Sequence, residues 1–290
     1  MRSHLYVPGD QPARMTGALT RGADALILDL EDSVAPGAKI AAREAVAHFL
    51  GQQAAGVGPA LWVRINTGGL GLDDIAMIVP EAGAALAGIC VPKVDSIRAL
   101  VTIGRELEIM EAANDREDDP VPICALLETA TAILDARDIA LHDRIVRLAM
   151  GEADLGAELG IDPTPGDGRE FLFARSMVVL ASAAADIDAP TGPVATDFRD
   201  LDALRASTEA LRRMGFGGRQ AIHPAQIPII NEVFTPTAEE VDRAERVIAR
   251  YDEAIDNDDG VCVDENGRMV DEAVVRSARN VLVRARPRTS

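Results

Sequence analysis

The chain has 290 residues, 48% of them hydrophobic, and its 29 Lys and Arg set against 47 Asp and Glu give a net charge of −18. That apolar content excludes disorder as the main state, the negative field argues against nucleic acid as a partner, and no apolar run reaches the roughly 18 residues of a membrane span. Cys90, Cys124 and Cys262 are odd in number and form no CxxC pair, and the MRSHLYVPGDQP start carries no basic-apolar-small leader, so neither a disulfide framework nor a thiolate zinc site is expected, and a cytoplasmic location is.

Short apolar runs alternate with stretches of helical character. In chain order the runs are residues 5–7, 25–30, 61–65, 88–94, 123–127, 145–150, 194–196 and 220–222. Buried strands separated by amphipathic helices predict βαβ units and a parallel sheet, and eight of them predict a closed (β/α)8 TIM barrel. The seventh run is the weakest, because Pro190, Gly192 and Pro193 crowd it. Polar residues follow nearly every run, as at Asp29, Glu31 and Asp32, at Arg64, at Glu128, at Asp154 and at His223. In this architecture the carboxyl ends of the strands carry the chemistry.

The acidic stretch at 108–119 reads as a solvated helix end. Further on, Thr237 predicts a helix cap, with Glu239 and Glu240 in the first turn of a helix running to about Ile255. Asn257 to Gly260 break it, residues 260–269 predict a short hairpin, and residues 271–283 a terminal helix. The expected organisation is a barrel over 1–255 and a small C-terminal appendage over 256–290, whose RARPRTS end frays.

Glu128 and Asp154 each follow an apolar strand, and two carboxylates there can hold Mg²⁺ while leaving positions for substrate and water; helix capping is the competing account. Asp29, Glu31 and Asp32 crowd three carboxylates into four positions, which favours a site because like charges repel unless a cation or proton compensates. Arg64 can grip an oxyanion, or it can make a structural salt bridge to Glu31. Arg2, Arg14, Lys39 and Arg43 are cations near the rim that could receive phosphates, though Lys and Arg at helical spacing are usually surface residues. His223, before Pro224, is extended and more suited to lining a pocket than to catalysis. No Ser/His/Asp triad, Walker loop or GxGxxG loop appears.

Taken together, RSHLYVPGDQP, ADALILDLEDSVAPGAKIAAR, WVRIN, VPKV, ALLET, MGEADLGAELG, FARS, AIHPAQIPIIN and GRMVDEAVV resemble the citrate lyase β-subunit-like branch of the HpcH/HpaI aldolase family over nearly the whole chain. The resemblance implies a TIM barrel and a Mg²⁺-dependent carbon–carbon lyase (Mn²⁺ serving in its place) acting on acyl thioesters. It makes Glu128 and Asp154 metal ligands, and Arg64 the arginine facing the reacting oxygen. Glu31 and Asp32 become holders of metal-bound water or substrate, and Asp271 an acid–base carried on a lid that reaches a neighbouring subunit. Arg14, Lys39, Arg43 and His223 are left as candidates for binding coenzyme A, which enters as part of the substrate. The expected reaction cleaves a malyl-CoA- or citramalyl-CoA-type substrate to acetyl-CoA and a 2-oxo acid, glyoxylate or pyruvate, or runs in reverse. A β subunit acting on a citryl-acyl-carrier-protein thioester, a malyl-CoA thioesterase and a non-catalytic acyl-CoA-binding protein are the alternatives. Relatives imply a homotrimer or homohexamer. The sequence departs from the family in the Glu152-Ala153-Asp154 order and in the Pro/Gly-rich IDPTPGDGRE segment.

Overall fold

A computed structural model describes residues 1–162, 168–257 and 259–285; much of IDPTPGDGRE and most of the RARPRTS end lie outside the described residues. Eight parallel strands close into a barrel: β1 (Ser3–Pro8), β2 (Ala25–Asp29), β3 (Ala60–Arg64), β4 (Leu86–Val91), β5 (Ile123–Leu127), β6 (Ile145–Met150), β7 (Asp188–Gly192) and β8 (Gly218–Ala221). The ring shuts where Ser3, His4 and Leu5 of β1 pair in register with Arg219, Gln220 and Ala221 of β8. Around it run α1 (Pro12–Ala18), α2 (Lys39–Gly51), α3 (Gly68–Ala82), α4 (Ile97–Ala112), α5 (Ala130–Leu134), α6 (Ala136–Ala140), α7 (Glu152–Leu159), α8 (Leu172–Ala184), α9 (Leu201–Met214) and α10 (Ile227–Phe234).

The strands form where the sequence is apolar without alternation, because both faces are covered: all five residues of β2 are buried. Ala25, Ile27, Trp62, Cys90, Leu126 and Ala149 fill one part of the barrel interior. A Cβ at Gly88 would lie 2.4 Å from the Trp62 ring and 2.8 Å from the Pro122 carbonyl, so only glycine lets that indole lie across β4. Higher up, the Tyr6 hydroxyl donates to Gln220 Oε1 (2.7 Å), and Gln220 Nε2 donates to the carbonyls of Met150 and Gly192 (3.0 and 3.1 Å), satisfying this polar core residue of β8 from three other strands.

The seventh strand departs from expectation. It is Asp188–Gly192, just before the 194–196 run predicted from apolar character. Asp188 opens the strand in an ion pair with Arg147 of β6, and Pro190, which has no N–H to donate, sits where the ladder to β6 shifts register, its carbonyl accepting the Gly217 N–H (2.9 Å) while Thr191 pairs with Gly218. Ladder contacts rather than hydrophobicity define this strand.

The chain divides into two compact units, Met1–Glu232 and the residues from Val233 on. The second holds α11 (Ala238–Asp256), a hairpin of β9 (Cys262–Val263) and β10 (Met269–Val270), and α12 (Glu272–Ala285). The division falls before α11 rather than after residue 255, because α11 packs on α12 and its Tyr251 shares a small core with Val270 and Val275. Thr237 caps α11 as predicted: its hydroxyl accepts the Glu240 N–H while the Glu240 carboxylate accepts the Thr237 N–H.

Candidate active site at the carboxyl edge of the barrel

Asp29 and Arg64 end neighbouring strands in register, so their side chains meet. Arg64 Nε and Nη2 donate to the two Asp29 oxygens, both at 2.7 Å, in a buried fork. Its Nη1 lies 2.9 Å from Glu31 Oε2 and 3.3 Å from Asp32 Oδ2. The Glu31 contact is an ion pair without hydrogen-bond alignment, which leaves that buried oxygen without a hydrogen bond. Tyr6 underlies the group, with the Arg64 guanidinium 4.9 Å from its ring centroid.

Burial alone would raise the Asp29 carboxyl, but the Arg64 fork outweighs it and holds Asp29 below the ordinary range. Glu31 moves the other way, because burial outweighs its contacts with Lys93 and Arg64. Arg64 would lose basicity through burial; its carboxylate partners keep it charged.

Glu128 follows β5 and is buried. Burial first, then the charges of Asp154 and Glu31, push its carboxyl up to about 8, although the Lys93 N–H bond to Oε1 (2.8 Å) works against the rise. Gly151, after β6, makes room for it, since a Cβ there would lie 2.7 Å from both Glu128 Cβ and Oε2. Asp154 is exposed in the first turn of α7, and Thr129 caps α5 through its hydroxyl. A buried carboxylate destabilised by a second carboxylate suits a cation. Among the described residues no three His, Cys, Asp or Glu side chains converge as a metal cluster. Glu128, after β5, and Asp154, in the first turn of α7 after β6, are the two carboxylates that could hold a Mg²⁺ ion here.

The structure thus brings together Glu31, Asp32, Arg64, Glu128 and Asp154, and adds Lys93. The Lys93 ammonium reaches Glu31 Oε1 at 2.5 Å and Asp32 Oδ1 at 3.3 Å, and its φ is +49°, a left-handed conformation costing a non-glycine residue about 1–3 kcal/mol. Glu152, part of the order in which the sequence departs from the family, takes a two-point ion pair from Arg175 of α8 (2.6 and 2.8 Å).

The four cations and rings expected to meet coenzyme A are placed differently from one another. Arg43 turns inward: its Nε donates to the fully buried Asp74 (2.6 Å), whose other oxygen accepts both Asn66 N–H groups. Lys39 donates to the carbonyls of Leu30 and Glu31, bracing the loop beneath the carboxylates. Arg14 is exposed on α1. His223 is exposed and stacks on Phe198, ring centroids 4.7 Å apart, while its Nδ1 accepts the Ala225 N–H. Asp271 lies in the second unit, where its Oδ1 accepts the Val274 N–H (3.0 Å) ahead of α12.

The family model described as HpcH/HpaI aldolase/citrate lyase matches residues 2–224. A (3S)-malyl-CoA thioesterase of Cereibacter sphaeroides is 37% identical over 289 residues, covering 98% of this chain and 94% of the relative. The citrate lyase subunit beta of Escherichia coli is 34% identical, with 98% and 93% covered. Among solved structures, protein CitE from Mycobacterium tuberculosis in complex with magnesium, acetoacetate and coenzyme A superposes with a TM-score of 0.75 at 29% identity, covering 98% and 97% of the two chains.

Proposed function

Because the chain belongs to the HpcH/HpaI aldolase/citrate lyase family, we propose that it is a Mg²⁺-dependent carbon–carbon lyase. Its substrate would be a 3-hydroxyacyl-CoA of the malyl-CoA or citramalyl-CoA type, cleaved to acetyl-CoA and a 2-oxo acid. One observation supports this reading: the buried Glu128 stands on one rim with Arg64, Glu31 and Asp32, tied to them through Lys93, with Asp154 in the first turn of α7 after the next strand. Glu128 and Asp154 would hold the ion, and when bound it supplies Lewis-acid polarisation of the substrate's carboxylate and hydroxyl oxygens.

In the cleavage the bond between C2 and C3 breaks, and its electron pair passes to the acetyl thioester as an enolate. The C3 hydroxyl gives up its proton to water, which Glu31 and Asp32 would hold, and becomes the oxo group of the 2-oxo acid. Arg64 keeps Nε and Nη2 on Asp29, so Nη1 is the edge through which it would stabilise oxyanion charge. Glu31 and Asp32 flank that edge and would hold water or the substrate. Asp271, carried on a lid from a neighbouring copy in a homotrimer or homohexamer, would protonate the enolate carbon, or remove the methyl proton in condensation. Arg14 and His223, exposed, are the coenzyme A contacts we favour; Lys39 and Arg43 support the same rim from beneath.

Asp271→Asn tests the acid–base assignment. Turnover should fall by roughly 10²–10⁴-fold while calorimetric Mg²⁺ binding is unchanged; retention of activity would remove Asp271 from the chemistry. The thioesterase reading has its own support in the 37% identical relative. It keeps the same metal site and adds hydrolysis of the thioester, so release of free thiol separates the two. An acyl-carrier-protein thioester as substrate would show as silence on CoA esters with Mg²⁺ binding intact.

A further inference from the structure

Lys93 touches three members of the rim at once. It follows β4 through Pro92, and φ sets the angle between a residue's N–H and its Cβ. At +49° the N–H and the side chain serve different carboxylates. The N–H donates to Glu128 (2.8 Å), while Nζ sits between Glu31 (2.5 Å) and Asp32 (3.3 Å). Without that ammonium, Glu31, Asp32 and Glu128 would be left facing one guanidinium that is already forked onto Asp29, since the Lys39 ammonium is turned to the Leu30 and Glu31 carbonyls. Clustered carboxylate oxygens with so little compensation recruit cations from solution. A lysine suits the task of preventing this, being a compact charge with three donors that can bridge two carboxylates.

We propose that Lys93 is the resident counter-ion of the rim, its ammonium filling the position between Glu31 and Asp32 that a second divalent cation would otherwise take, so that the site accepts one ion, at Glu128 and Asp154. Lys93 is therefore a positioning residue, and its role rests on the metal reading given above. The distances support it directly: at 2.5 Å from Glu31 the ammonium leaves no room for an ion on that oxygen.

The test counts ions without turnover. The full chain is titrated with Mg²⁺ by calorimetry, and with Mn²⁺ by electron paramagnetic resonance, as wild type, Glu128→Gln, Lys93→Met, Lys93→Gly and Lys93→Arg. Wild type should take one ion per chain and Glu128→Gln none. Lys93→Met should take a second ion, or bind its single ion about fivefold or more tightly once one unit of local positive charge is gone. Lys93→Gly keeps the N–H to Glu128 and adopts the left-handed backbone freely. It should behave like Lys93→Met, which covers the case in which methionine is poorly tolerated there. Lys93→Arg should restore one ion. Wild-type stoichiometry and affinity in both neutral variants, with unchanged circular dichroism and melting, would overturn the counter-ion role alone. A folded wild type that takes no divalent ion would overturn the metal reading and this inference with it.

Discussion

Asp29 and Glu128 are both buried carboxylates, yet their surroundings push them in opposite directions. Asp29 is gripped by Arg64 and held below its ordinary range, whereas Glu128 sits against other carboxylates and rises to about 8. A depressed carboxyl contributes stability that is present above the unfolded value, near pH 4, and is lost as pH falls through the folded value. Asp29→Asn should flatten that acid limb and, by leaving Arg64 buried with half its fork unmade, cost about 3 kcal/mol at pH 7. Urea unfolding at pH 7 and pH 3 checks both; a variant with the wild-type acid profile would assign the limb to other groups. At this scale residue type reveals the carboxylates and Arg64, and the VPKV motif puts Lys93 at a strand end, but its role is not legible there. Its signal is a backbone angle and contacts spanning 35 and 62 residues, to Glu128 and Glu31. Arg43 misleads for the same reason, since its partner Asp74 lies 31 residues on.

Elements place these residues through a few steric permissions. Gly151, between β6 and α7, is the clearest: Gly151→Ala drives a Cβ to 2.7 Å from Glu128 Cβ and Oε2, so either the carboxylate or the backbone must shift. Mg²⁺ affinity should fall about tenfold or more with the barrel still folded, as read by calorimetry beside circular dichroism; unchanged affinity would mean Glu128 has room to move. Removing the hydroxyl of the α11 cap, Thr237→Ala, should cost about 1 kcal/mol in the second unit, seen as faster amide exchange along α11. The strands were legible because buried parallel strands are apolar runs, and α11 because its capping box is local. Strand β7 was not, since Asp188 and Pro190 join it through an ion pair and a carbonyl contact made only when the barrel closes.

Across the whole molecule, a charge of −18 surrounds a site proposed to take a polyanionic thioester. Repulsion of that kind is screened by salt, so KM for a CoA thioester should fall as ionic strength rises from about 0.01 to 0.15 M; a rise would reveal a basic entry track that outweighs the overall field. No helix among the described residues is long and apolar enough to cross a membrane. The barrel was readable as a count of strands, and the family from motifs spread along the chain. Where the second unit begins was not, because that depends on which helices α11 packs against. The most direct test follows 2-oxo acid and free thiol separately while malyl-CoA, citramalyl-CoA and citryl-CoA are incubated with Mg²⁺ and either wild type or Glu128→Gln. Oxo acid released with acetyl-CoA, without free thiol, and abolished by EDTA and by Glu128→Gln, is the expected result. Free thiol without accumulating oxo acid, or turnover that survives both treatments, would contradict a metal-dependent carbon–carbon lyase.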